Sequence, residues 1–137
     1  MPGERICGQD PTFKNGESSS DITSKLGVIY DTSSDYTVKI GTTNSKYFAG
    51  ISMEKFSAGK NGAVRQEGDA IATAAETINR GDRVYLKGSA GKFASVEENS
   101  TGTEQTFYVC GIAKTAASTD GDEFLIAIQH PAVYWRA

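Results

Sequence analysis

The chain has 137 residues, 14 Lys and Arg against 17 Asp and Glu for a net charge of -3, and 15 Gly, 2 Cys and a single His. Ser and Thr number 13 each and with Gly make up close to a third of the chain, a mixture that favours strands and turns over long helices. This is one domain's length, with room for a core that needs no disulfide or structural metal. The acidic balance excludes the dense basic footprint of a nucleic-acid binder, and His130, Cys7 and Cys110 have no metal-ligand spacing.

In chain order, residues 1–20 come first, with two Pro, three Gly, the run Ser18-Ser19-Ser20 and few apolar residues. They show neither a period of 2 nor one of 3.6, so an extended N-terminal arm is expected here and a β-barrel domain over 21–137. Ile6 and Phe13 are the arm's candidate contact residues. Glu4 and Arg5 interrupt the first residues, so no secretory signal is expected and synthesis in a cytoplasm is. Both cysteines are expected as free thiols.

From residue 21 the pattern is β. Val28-Ile29-Tyr30, 36–40, 47–51, 83–86, 92–96, 106–110 and 123–128 are short runs rich in β-branched and aromatic residues. Gly, Asn, Asp and Ser clusters separate them, at a spacing that predicts a compact barrel or sandwich. The alanine-rich segment 69–77 is helix-permissive, yet its alternation reads better as a strand of small side chains. The longest apolar run, 124–128, falls far short of the ~20 residues that cross a bilayer, so no membrane partner is expected.

An internal duplication organises these runs. Val28-Ile29-Tyr30, 36–40 and Tyr47-Phe48-Ala49-Gly50-Ile51-Ser52 lie in the same order as Val84-Tyr85-Leu86, 92–96 and Tyr108-Val109-Cys110-Gly111-Ile112-Ala113. The second copy carries about six extra residues in the polar stretch 97–105, read as a longer loop. Each copy then reaches a glycine turn, at 59–62 or 120–122, and a further apolar stretch. A glycine after Tyr-x-x marks a place where the backbone bends or meets another strand closely.

No chemistry emerges from the remaining residues. His130 has no nucleophile elbow to serve. Asp120, Asp122 and Glu123 lack calcium-loop spacing and read as a solvated turn. Lys55 lies in a turn as a carrier lysine would, but without the flanking sequence of biotinyl or lipoyl carriers. The expectation is a non-enzyme without metal or cofactor. Tyr134, Trp135 and Arg136 are of the types enriched at interface hot spots and are candidate contacts with another subunit or a partner.

The order Ile78-Asn79-Arg80-Gly81-Asp82-Arg83-Val84, a glycine hairpin, Gly111-Ile112-Ala113, Ala116-Ala117-Ser118, a glycine turn and a last hydrophobic strand resembles the head decoration, or capsid cement, proteins of tailed bacteriophages. The resemblance covers about residues 21–130. It implies an all-β fold, a small β-tulip-like barrel with an N-terminal arm. It also implies a protein on the outer surface of the virion capsid, as a homotrimer at three-fold or quasi-three-fold positions, clamping neighbouring major capsid protein subunits. No catalytic residues belong to that family. The alternative structural reading is a phage tail or spike β module.

Overall fold

The computed structural model describes residues 10–100 and 105–136, with 130–136 described by their main chain. The first half holds β1 (Thr12–Asn15), β2 (Gly27–Tyr30), β3 (Thr37–Ile40), β4 (Phe48–Ser52) and β5 (Asn61–Arg65). The second holds β6 (Gly68–Thr73), β7 (Arg83–Leu86), β8 (Phe93–Ser95), the helical turn α1 (Val96–Asn99), β9 (Gln105–Ala113) and β10 (Glu123–Arg136). The all-β barrel expected from the sequence is present: β1-β3-β2-β4-β5 closes on itself. The alanine-rich segment is a strand, with Ala70 and Ala72 turned into the core.

The duplication is more complete than its sequence trace, because the second half repeats the strand pairing of the first. Val28 faces Gly50 and Gly27 faces Ile51; Val84 faces Gly111 and Arg83 faces Ile112. Isolated bridges join Ile22 to Phe56 and Ile78 to Ala117. The Asn15 N–H donates to the Lys60 carbonyl at 2.8 Å and Gly59 N–H to Asn15 at 2.9 Å, as Ala74 N–H does to Asp122 at 2.8 Å and Gly121 N–H to Ala74 at 2.9 Å. β1 runs parallel to β3, and the parallel bridge from Ala74 to Phe93 brings together the two ends of the second sheet, β6-β10-β9-β7-β8. The single barrel expected over 21–137 is thus two tandem five-stranded units, each built from one repeat.

The expected arm gives way at β1. Thr12 and Lys14 face solvent while Phe13 and Asn15 face inward, and β1 pairs with both β3 and β5. A four-residue strand with one apolar side chain, set between Pro11 and Gly16, leaves too little alternation to register as a period. Asn15 is buried because its side chain stands in for a strand: it donates to the carbonyls of Ser20 at 2.9 Å and Phe56 at 3.0 Å and accepts from Glu17 N–H at 2.8 Å. A chain begun at Asp21 loses all of this and opens the barrel, so its thermal transition should fall sharply or broaden. A chain begun at Asp10, which keeps the Asp10 to Arg65 ion pair at 3.0 Å, should retain a cooperative transition. Calorimetry of the two truncations checks both outcomes.

The repeats share one core. Phe48 and Ile51 of the first repeat cluster with Val84, Leu86, Phe93, Phe124 and Ile126 of the second. Phe93 is edge-on to Phe48 at 6.0 Å and to Phe124 at 6.2 Å. At the rim, Asn44 sits in the left-handed region (φ 50°), where Asn is tolerated. Its amide donates to the Thr106 carbonyl at 2.9 Å and its oxygen accepts from Tyr108 N–H at 2.9 Å, so a side chain of the first repeat occupies the edge of β9. Asn44→Ala removes both bonds and places a Cβ residue less suited to that φ, a loss of about 2–3 kcal/mol in a urea melt.

Beyond the repeat, β9 and β10 run on together as a two-stranded ribbon. β10 leaves β6 at Ile128, passes an irregularity between Ile128 and Ala132, and pairs with β9 through Arg136 opposite Gln105. Pro131 falls within that irregularity, where a missing N–H costs no ladder bond. The strand therefore continues well past 128, where the apolar run read from the sequence stops. Part of the polar stretch read as a loop is α1, capped by Ser95, whose hydroxyl accepts from Glu98 N–H at 3.1 Å.

Candidate functional site

The described surface offers a groove rather than a reaction centre. Exposed large apolar side chains are Tyr36, 80% exposed, Tyr47 at 45%, Tyr30 at 40% and Ile71 at 39%. Three of these four are tyrosines of the first repeat. Tyr30 ends β2 and Tyr36 leads into β3, while Tyr30 N–H donates to the Tyr47 carbonyl at 2.9 Å, which ties the end of β2 to the start of β4. Between them an open groove is lined by Pro11, Phe13, Tyr30, Asp35, Tyr36 and Gln66, among others. Gln66 donates to the Tyr30 hydroxyl at 2.7 Å and to the Ala49 carbonyl at 3.2 Å, which holds the Tyr30 ring upright against Phe13, 6.1 Å away and edge-on. Tyr36 adopts φ 53°, an uncommon conformation for a bulky residue, and it presents nearly its whole ring to solvent. Rigid aromatic rings around a groove are what protein-binding surfaces use as anchors.

The residues singled out from the sequence fall in different places. Phe13 is not a free anchor: it is 8% exposed and packs with Ile22, Val28, Val38, Ala49, Phe56 and Val64, because inward alternation in β1 leaves it no other side. Ile6 and Cys7 lie outside the described residues. Tyr134, Trp135 and Arg136 lie in the β10 half of the ribbon, opposite Phe107, Thr106 and Gln105, and their side chains lie outside the described set. The tyrosine groove escaped the sequence reading because Tyr30, Tyr36 and Tyr47 pass for ordinary strand residues. The available signal was Tyr36 itself, a large aromatic directly after Ser33-Ser34-Asp35.

Several titratable groups have structural partners. Burial pushes the Glu76 carboxyl up, but hydrogen bonds from Lys87 at 2.7 Å and Asn99 at 2.5 Å, with the Lys87 charge, outweigh it and hold the group below the usual carboxylate range. The same contact raises the Lys87 ammonium. Cys110 is a free thiol in the core, and burial pushes its titration far up, which leaves it without thiolate character. Asp122 accepts from the Ser118 and Thr119 N–H groups at 2.9 and 3.1 Å, and Asp120 pairs with Lys92 at 2.9 Å, so these carboxylates organise the turn between β9 and β10. Lys55 meets Asp21 at 3.5 Å.

The described residues form two tandem β units with a tyrosine groove on one face. Residues 13–128 match the family model of the phage cement proteins, and the chain belongs to that family. It is a structural protein of the bacteriophage capsid. A solved structure with the same fold, "The crystal structure of head fiber gp8.5 N base in bacteriophage phi29", is 16% identical with a TM-score of 0.62, over 89% of this chain and 94% of that one. No curated protein matches the chain.

Proposed function

We propose that this chain cements the phage head from outside. It binds the outer surface of the mature capsid at three-fold or quasi-three-fold positions, as a homotrimer, and bridges neighbouring major capsid protein subunits. The observation that carries this reading is the cement-family match, which spans both repeats from β1 into β10. The structural neighbour, named as part of a head fiber, favours the head over a tail or spike as the place of assembly.

A cement works by adding interface area, so it needs a rigid body and adaptable contact elements, and no reaction. The shared core and the doubly anchored Asn44 supply rigidity. The tyrosine groove, the β9–β10 ribbon with Tyr134, Trp135 and Arg136, and the residues before Asp10, including Ile6, are the contact elements of this reading. Ordering a segment on binding costs about 1–2 kcal/mol per residue, which buried area at each contact must exceed. Symmetry helps, because several contacts on one trimer act at high effective concentration.

The test is a heat challenge of heads assembled without this chain, with DNA release as the readout. Added protein should raise the temperature of release and sediment with the heads. An unchanged release temperature with no co-sedimentation contradicts cementing.

A further inference from the structure

The contact between the two repeats shows how one end of the repeat is recognised. The hairpins correspond strand for strand: β2 and β3 end on the pair Tyr30 and Val38, and β7 and β8 end on Leu86 and Phe93. The end of the second hairpin is covered inside the molecule by residues 41–44 and Gly27 of the first repeat, through three main-chain hydrogen bonds and the Thr43 hydroxyl. Asn44 N–H donates to the Leu86 carbonyl at 2.8 Å and Gly27 N–H to the Gly91 carbonyl at 2.8 Å, while Gly91 N–H donates to the Gly41 carbonyl at 3.1 Å. Gly88 N–H donates to the Thr43 hydroxyl at 3.0 Å.

The end of the first hairpin is the tyrosine groove, which no loop of the described residues covers as 41–44 covers the second, although Lys14 N–H already holds the Tyr36 carbonyl at 2.8 Å and Gln66 the Tyr30 hydroxyl at 2.7 Å. Where Leu86 is 1% exposed, its counterpart Tyr30 is 40% exposed. A second copy of the chain is poorly suited to fill the place, because the receiving surface of its second repeat is already closed. Arg83, the counterpart of Gly27, has its N–H capped by the Glu97 carboxylate at 3.0 Å, and α1 follows β8 where the open loop 41–44 follows β3. Head-to-tail docking of repeats therefore stops after two.

We infer that the groove receives a polypeptide loop of the capsid shell, held through its main-chain N–H and C=O groups against the first hairpin end and clamped by Tyr30 and Tyr36, with the exposed Tyr47 beside Tyr30 at its margin. The loop takes the position that residues 41–44 take on the second repeat. Small residues suit it, since a Cβ on Gly41 would come within 2.8 Å of Leu86 Cδ2 at the internal contact. This inference rests on the head-binding reading above and names the surface that carries it.

The test uses the full chain and heads assembled without it. Tyr36→Asn keeps a residue type suited to positive φ and touches an exposed ring, so its melting curve should match that of the parent; Tyr36→Asn combined with Tyr47→Ser removes a second ring. Co-sedimentation should show binding weakened about tenfold or more by the single change and further by the double one. A photo-crosslinker at position 36 should join the major capsid protein. Parent-like binding by the double variant, with the parent chain bound to heads, overturns the groove alone and leaves cementing intact. Failure of the parent chain to bind overturns both. Crosslinking to another copy of this chain, with self-association lost in the variant, overturns the choice of occupant.

Discussion

Phe93→Ala should lower the stability of the whole protein by about 3–5 kcal/mol. Phe93 is fully buried, and its ring touches aromatic partners from both repeats, Phe48 on one side and Phe124 on the other. Truncation to Ala loses the transfer free energy of the ring and leaves a cavity among strands that are already hydrogen-bonded and cannot collapse into it. The two edge-to-face contacts add about 0.5–1.5 kcal/mol each. Since the same ring joins the repeats, the loss should appear as earlier unfolding of both units in one transition. A urea melt followed by Trp fluorescence and by far-ultraviolet circular dichroism measures it, and two well-separated transitions would show that the repeats are coupled elsewhere.

Gly111→Ala and Gly50→Ala should each cost about 2–3 kcal/mol or more, near the upper end of overpacking. These glycines hold the same place in the two repeats, Gly50 opposite Val28 of β2 and Gly111 opposite Val84 of β7. A Cβ on Gly50 would lie 2.3 Å from the Arg65 carbonyl oxygen, and one on Gly111 2.4 Å from that of Ala127. Both obstacles are backbone atoms of the neighbouring strand, so no rotamer change relieves them; the sheet itself must shift. Calorimetry should show both variants melting several degrees to more than 10 °C lower. Parent-like melting of either would mean that the close strand crossing is not what fixes glycine there.

Most strands were legible because Val, Ile, Phe and Tyr recur at period 2 between turn residues, and the paired Gly50-Ile51 and Gly111-Ile112 exposed the duplication. That each repeat forms its own unit was not legible. It depends on the parallel pairing of β1 with β3 and on the bridge from Ala74 to Phe93, contacts between distant segments that leave no local pattern. β1 was hidden for a related reason, since Phe13 is the one apolar residue on its inward face. The functional class came from the order of loose motifs, whereas the tyrosine groove became visible only when the equivalent end of the second repeat was seen to be covered. A strand tyrosine carries no mark of its exposure until its partner across the repeat is known.

Cryo-electron microscopy of heads with and without this chain tests its place on the outside of the head. Decorated heads should show added density of two β units per chain at the three-fold or quasi-three-fold positions of the outer surface, with the first repeat's tyrosine end against the shell. Decorated and undecorated heads with identical outer surfaces, or density confined to the tail, would contradict it.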